Sequence, residues 1–374
     1  MRRSFHRGII VTHPRTGRLR AAVFMVVAIL AAAAWPAAGG RDQTTRAERS
    51  TLDFFFIDVE GGAATLIVSP SGESILIDSG FPGERDAGRI ARVAREQAGL
   101  ASIDHYITTH WHRDHVGGIG ELVRLVPVAR YYGHRIPEPV PPDILKAPIG
   151  RWQELATDPV WLRAGDRVPL AGQTAGAPGG APVLAVHVLA GDALVKGEPE
   201  DSPQVRTCEY GHEPMPEDTS DNARSLAFHV SYGAFDLFAG GDLTWNVEHK
   251  LVCPESILPP GIDAFLVNHH GLDTSNNPVL IEALAPTVAI VNNGPAKGGE
   301  PRTMSDLLAY LGASRVFQLH RNVREGAINT AAEFIANESE DCDAAFVRLS
   351  VSPDTKQYTV AIPARNRSWT FEVR

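Results

Sequence analysis

Thr109-His110-Trp111-His112-Arg113-Asp114-His115-Val116-Gly117-Gly118 sets three imidazoles and a carboxylate within six residues. Nitrogen and oxygen donors of this kind are what zinc accepts. The stretch follows an apolar run, 103–108, that reads as a short strand, so the donors occupy a loop at a strand end. Residues two apart in such a loop share one direction. His110 and His112 are then placed to grip one ion while Asp114 and His115 turn toward another, and a dinuclear site becomes geometrically natural. A surface loop that merely happens to be rich in histidine is the plain alternative, but 14 histidines scattered over 374 residues do not ordinarily fall into this alternation.

The flanking sequence says what kind of sheet carries the loop. Upstream, 52–59, 64–68 and 74–77 are apolar runs broken by Gly61-Gly62 and Ser69-Pro70-Ser71-Gly72, and read as consecutive strands joined by tight turns. Residues 86–97 have helical spacing (Ile90, Val93, Ala94) ended by Gly99, so the opening is β-β-β-α-β. Downstream, 137–182 is rich in Pro and Gly with one short helical candidate near 151–156, an irregular insertion over a core. Strands resume at 183–189, 225–231 and 235–239, with a polar, proline-bearing loop at 191–221 expected to lie over the site. A strand at 264–267, helix 279–284, strand 288–291, helix 305–311, strand 315–318 and late strands at 345–350 and 357–362 complete the pattern. Two β-rich halves with helices outside each predict an α/β protein, a four-layer α/β/β/α sandwich rather than a doubly wound parallel sheet.

The chain is 44% hydrophobic and 21% charged, enough to bury a large core. Residues 1–39 hold six arginines and no acid, then a 14-residue apolar run at 21–34, then small residues; that order reads as a signal peptide, with an uncleaved anchor as the alternative. The run falls short of the roughly 20 residues that a spanning helix needs, so no membrane span is expected in the mature chain. The expected organisation is a leader over 1–39, a linker over 40–50 and one α/β domain over 51–374, with a C-terminal extension from about 321. Without the six leader arginines, the 35 basic side chains fall well short of 44 acidic ones, a net charge of about −15. Such a surface repels polyanions, which argues against a nucleic-acid partner. Cys208, Cys253 and Cys342 form no C-x-x-C pair; in an oxidising compartment two of them can pair, leaving one over.

His110-x-His112-x-Asp114-His115 resembles the signature of the metallo-β-lactamase superfamily, and further motifs follow in order over about 51–320. Asp78, ending the run 74–77, matches the acidic position that orients the histidine loop from behind the metal ligands. Asp242, in Ala239-Gly240-Gly241-Asp242, matches the carboxylate that bridges two metals, and His269-His270-Gly271 matches the last motif. The resemblance implies the α/β/β/α fold, two Zn²⁺ ions with Mn or Fe as alternatives, and hydrolysis by a metal-bound hydroxide, in which two ions lower the pKa of water toward 7. The expected ligands are His110, His112, Asp114, His115, Asp242 and His270, the last chosen over His269; Asp114 and His269 are expected to act in catalysis.

One departure is informative. Lactonase, glyoxalase and lactamase members of the superfamily place a third histidine for the first metal about twenty residues before the bridging aspartate, where this chain has Ser220-Asp221-Asn222-Ala223-Arg224-Ser225. Asn222, Asp221 and His134 are the candidate substitutes, with Asn222 expected behind the ligands; His187 and His229 are too far off or within a strand. The Asn-x-x-Ser, Gly-Asp and His-His-Gly sequence, with Asp58 and Gly62 of the opening segment, is similar to the hydrolase domain of the competence-protein (DNA-internalisation) group and to choline-phosphate esterases. That resemblance implies a first metal on His110, His112 and Asp242 and a second on Asp114, His115, Asp242 and the late histidine.

The expectation is therefore an exported metallo-hydrolase, periplasmic or secreted, acting on a small anionic or ester substrate, with phosphoric esters or diesters leading. Lactone, β-lactam or other carboxylic-derivative hydrolysis, a nuclease and a non-catalytic metal-binding module are the alternatives. Flavodiiron-type redox chemistry would call for a flavin domain that the pattern does not contain.

Overall fold

A computed structural model describes residues 49–171, 182–205, 213–259 and 261–374. The leader expected at 1–39 and Cys208 lie outside the described residues. Among the described residues no helix is long and apolar enough to cross a membrane.

In chain order the strands are β1 (Leu52–Phe56), β2 (Thr65–Val68), β3 (Ser74–Ile77), β4 (Ile103–Ile107), β5 (Val128–Gly133), β6 (Val160–Trp161), β7 (Leu184–Gly191), β8 (Leu194–Val195), β9 (Ala227–Tyr232), β10 (Phe235–Ala239), β11 (Ala264–Leu266), β12 (Val288–Val291), β13 (Val316–His320), β14 (Ile335–Asn337), β15 (Val347–Val351), β16 (Gln357–Ile362) and β17 (Arg367–Glu372). The α-helices are α1 (Glu84–Arg92), α2 (Arg113–Val116), α3 (Ile119–Leu125), α4 (Lys146–Leu155), α5 (Trp245–Lys250), α6 (Pro278–Leu284) and α7 (Pro301–Leu311). Nine strands form one sheet in the order β17-β16-β15-β1-β2-β3-β4-β5-β6, and eight form the other in the order β14-β13-β12-β11-β10-β9-β7-β8.

Strand alternation explains the layers. Phe54 and Phe56 of β1 point into the core between the sheets with Ile67, Ile75, Phe228 and Leu237, whereas Phe55 points the other way, into a second core with Leu66 and Leu76 beneath α1, α3 and α4. In the other sheet Phe238 and Phe265 face a third core under α5, α6 and α7. Both faces of each sheet are covered, which is why the central strands read as continuous apolar runs. The fold is the four-layer α/β/β/α sandwich.

Several elements differ from the sequence reading. The helix expected over 86–97 is α1 followed by a π-helical turn at Val93–Gln97. Helix α3, strand β5 and helix α5 were not expected, and neither was β17, an edge strand whose side chains alternate between exposed and half-buried. The residues beyond 321 contribute four strands to the two sheets: β14 pairs with β13, and β15 lies between β1 and β16.

Strand direction positions the site. β3, β4 and β5 run parallel, as do β10, β11 and β12, so their carboxyl ends gather at one edge of each sheet. Asp78 follows β3, His110 follows β4, Asp242 follows β10 and His269 follows β11. Crevices at the carboxyl ends of parallel strands are where α/β proteins bind ligands.

Candidate metal centre

The loop after β4 is pinned on both sides. Asp78, at φ 62, accepts the Thr109 backbone N–H through Oδ1 and the Thr109 hydroxyl through Oδ2, each at 2.8 Å. On the other side Asp221, fully buried, accepts the Trp111 backbone N–H at 2.6 Å. The Trp111 ring turns outward and packs edge-on against Trp152 at 4.9 Å, while the neighbouring His110 and His112 turn inward, with Nε2 of the first 3.1 Å from Nδ1 of the second. The loop runs on into α2, which carries Asp114 and His115. Gly118 allows the close approach beneath it, since a Cβ there would stand 2.1 Å from the Ser79 carbonyl oxygen.

Asp242 is the hub. Its Oδ2 lies 3.2 Å from His115 Nε2, 3.4 Å from His269 Nε2, 3.4 Å from His270 Nε2 and 3.8 Å from His110 Nε2. His115 Nε2 and His270 Nε2 face each other at 3.2 Å, and Asp114 Oδ2 is 3.6 Å from the first and 3.4 Å from the second. Donor atoms of Asp114, His115, Asp242 and His270 all lie within 4.8 Å of one another.

His269 and His270 reach this cluster through a strained backbone, with φ of 51 and 54. A buried carboxylate holds that turn. Glu248 accepts from Asn268 Nδ2 at 2.6 Å and from the backbone N–H groups of Asn276 and Asn277 at 2.8 and 2.7 Å; burial pushes its pKa up to about 7 despite these bonds. Behind His270, Gly299 donates its N–H to the His270 carbonyl at 2.8 Å, and Gly298, at φ +77, passes so close that a Cβ would stand 2.2 Å from that oxygen.

Charge is arranged around the donors. Burial opposes ionisation of Asp242, but His115, His270 and His269 hold its carboxyl well below the usual carboxylate range. Burial likewise opposes charge on Asp114, and His115, His270 and Lys297, whose ammonium contacts it, hold it low as well. Burial and the neighbouring His115 push His110 well below the ordinary imidazole value. His115 is pushed well above it, because Asp242, Asp78 and Asp114 outweigh its burial.

The residues fit a divalent metal. Asp78 Oδ2 lies 2.8 Å from His115 Nδ1, a contact that puts the proton of a neutral ring on Nδ1 and leaves the lone pair of Nε2 aimed at His270 Nε2 and two carboxylates. Two facing Nε2 lone pairs at these separations repel unless a proton on His115 or a metal ion lies between them, and a metal ion displaces that proton. His270 Nδ1, buried without a hydrogen-bond partner among the described residues, marks a ring held for what its other nitrogen binds.

Of the expected ligands, Asp114, His115, Asp242 and His270 meet in the cluster; His110 lies at its edge, 3.8 Å from Asp242, His112 touches His110 at 3.1 Å, and Asn222 Nδ2 is 3.3 Å from His269 Nε2. His134 does not reach the cluster: it is buried behind Trp111, 3.4 Å from Asp192 and from Asp221, whose carboxylates raise its pKa to about 9 against the effect of burial. Asp221 supports the loop from the same side. His187 and His229 stack on each other at 5.9 Å on neighbouring strands. Three contributors escaped the sequence reading. Asp143, from the irregular insertion, lies 2.9 Å from His112 Nε2. Lys297 and Glu248 are the others, and nothing in a lone Lys before Gly-Gly or a Glu in a short helix announces a role at a site formed by distant loops. Beside His269 a cavity of ≈ 400 Å³ opens between Met215, Asn222, Thr244, Trp245 and Leu272.

Residues 57–207 match the family model of the metallo-β-lactamase superfamily. Among curated proteins, the chain is similar to thioesterase pkgB of Emericella nidulans (32% identity over 103 residues, 28% of each chain). It is also similar to the atrochrysone carboxyl ACP thioesterase of Aspergillus terreus, 36% identical over 66 residues, 18% of this chain and 20% of that one. A third relative is lactamase-like protein nscB of Aspergillus fumigatus, 32% identical over 103 residues, 28% of this chain and 29% of that one. The matches therefore span less than a third of each of these relatives. Among solved structures, a metal-dependent hydrolase from Parabacteroides distasonis aligns at TM-score 0.38 and 10% identity, covering 73% of this chain and 94% of that one. The diiron β-hydroxylase CmlA of Streptomyces venezuelae aligns at TM-score 0.36 and 14% identity, covering 65% and 44%.

Proposed function

We propose that the chain is a metal-dependent hydrolase of small acyl substrates, thioesters or other carboxylic esters. The observation that carries the reaction class is the convergence of Asp114, His115, Asp242 and His270 on one point, with His110 and His112 beside it. His110, His112 and Asp242 would hold one divalent ion and Asp114, His115, Asp242 and His270 the other. When bound, such ions supply an acidified water and polarise the oxygen of the electrophile. The chain's own residues do the rest. Asp114, kept ionised by His115, His270 and Lys297, would accept a hydrogen bond from the attacking water and so orient it. His269, which burial lowers to about 4, is neutral at ordinary pH and presents Nε2 toward the cavity, steadied by Asn222.

The cavity supports acyl over phosphoryl substrates. Its described walls carry Met215, Trp245 and Leu272 with neutral amides and hydroxyls, one carboxylate (Asp218), and neither lysine nor arginine. Apolar walls of this kind suit an acyl chain. The thioesterase names of relatives lean the same way, and the phosphoric-ester expectation draws no support from them. We keep the competence-group resemblance as a proposal of shared layout at Asn222, not of shared substrate.

We also propose that the mature chain works outside the cytoplasm, as zinc protein rather than iron. The order of residues 1–39 supports export, and Cys253 is disulfide-bonded, as expected in an oxidising compartment. The decisive assay compares the zinc-loaded mature protein on a short S-acyl thioester, a 4-nitrophenyl ester, a lactone and bis(4-nitrophenyl) phosphate. Faster turnover of the acyl substrates, lost in His112→Ala, is expected; a preference for the phosphodiester would overturn the acyl reading.

A further inference from the structure

A second group of metal-type donors lies elsewhere and shares no residue with the first. Asp58 follows β1, His320 ends β13, and Cys342 lies in the connection between β14 and β15, so the three join strands of both sheets. His320 Nε2 is 3.1 Å from Asp58 Oδ2, and Cys342 Sγ is 3.6 Å from each of those two atoms. Asp58 and His320 are fully buried, while Cys342 is partly exposed and carries a free thiol. His320 Nδ1 is buried without a hydrogen-bond partner among the described residues.

We propose that Asp58, His320 and Cys342 form a separate site for a thiolate-binding divalent cation such as Zn²⁺, with water as the fourth ligand. Tetrahedral zinc with ordinary bond lengths sets its ligand atoms about 3.3 Å apart for nitrogen and oxygen and about 3.6 Å apart where one is sulfur. The three observed separations fall close to those edges. The donors come from one imidazole, one carboxylate and one thiol, the mixed set zinc takes, and the partial exposure of Cys342 gives the ion a way in. Without an ion, burial and the Asp58 carboxylate push the Cys342 thiol up, so it stays protonated; a bound cation reverses that balance. Arg89, whose Nη1 is 3.2 Å from Asp58 Oδ2, then steadies the ligating carboxylate from outside, while Glu60 donates its backbone N–H to Oδ1 at 3.0 Å. Such an ion would cross-link the two sheets where the loop leading to Gly62, beneath Asp114, begins.

Cobalt substitution separates this site from the first, because no thiolate is present among His110, His112, Asp114, His115, Asp242 and His270. The mature protein loaded with Co²⁺ should show a near-ultraviolet thiolate-to-cobalt absorption. Cys342→Ser should abolish it and remove one cobalt per chain, while Asp242→Ala should leave it in place whatever happens to hydrolysis. Absence of the band in the cobalt-loaded wild type, or an unchanged cobalt count in Cys342→Ser, would overturn the proposal without touching the acyl-hydrolase reading.

Discussion

The Asp78 carboxylate and the His115 imidazole are joined Oδ2 to Nδ1 at 2.8 Å, and that single contact decides which nitrogen of His115 is left for the cluster. Asp78→Asn replaces one acceptor oxygen by an N–H donor, which opposes the Nδ1–H tautomer. Loss of a partner that orients a metal-binding histidine typically weakens affinity by about 10–100-fold. Competition of zinc between the variant and a chelator measures it; an unchanged affinity would remove Asp78 from the account.

His112 has the same kind of partner in a different setting. Asp143 lies 2.9 Å from His112 Nε2, but its side chain is 30% exposed. Water replaces an exposed partner more readily than a buried one, so Asp143→Ala should weaken zinc by less than about tenfold. The same chelator titration checks it, and a loss as large as that of Asp78→Asn would show that exposure does not set the order.

Gly298 is expected to matter more for catalysis than its place in a loop suggests. A methyl group there would press on the His270 carbonyl, at a φ that side chains rarely adopt. Displacing His270 by a fraction of an ångström to an ångström should cost Gly298→Ala roughly 100-fold in kcat/KM for the thioester. Far-ultraviolet circular dichroism should still report a folded protein. Turnover equal to wild type would show that the Gly298 backbone does not position His270.

His134 makes a pH prediction. Burial opposes its charge, but Asp192 and Asp221 raise its pKa from 6.5 to about 9. A histidine raised on folding contributes stability that is fully present below about pH 6.5 and is lost as pH rises through about 9, worth roughly 3 kcal/mol in full. Urea unfolding should therefore show wild type exceeding His134→Gln by more at pH 6 than at pH 10. A difference independent of pH would mean that His134 is not charged in the folded protein.

Much of this was legible because it is local. The donors in 110–115, Asp78 at the end of β3 and Asp242 after Gly-Gly each follow an apolar run whose period marks a strand, so strand ends and candidate ligands could be read together. The strands β10, β12 and β16 fall where the apolar pattern puts them, at Phe235–Ala239, Val288–Val291 and Gln357–Ile362. What was not legible depends on contacts between distant segments. Asp143 meets His112 across an insertion whose Pro and Gly carry no period. Glu248 acts by receiving three N–H groups from a loop 20 to 29 residues away. β17 alternates Trp369 and Phe371 with the polar Ser368, Thr370 and Glu372 on an exposed edge, so its pattern lacks the apolar run that betrays a central strand.

The measurement that bears most directly on the account is the metal content of Asp242→Ala beside the wild type, by plasma mass spectrometry, both in the Cys342→Ser background so that only the His and Asp cluster is counted. Asp242 Oδ2 approaches four imidazoles, so both ions are expected to depend on it. About two zinc ions per chain in the reference, falling below one in Asp242→Ala together with loss of thioester hydrolysis, is the predicted result. Retention of both ions in Asp242→Ala, or none in the zinc-reconstituted reference, would contradict it.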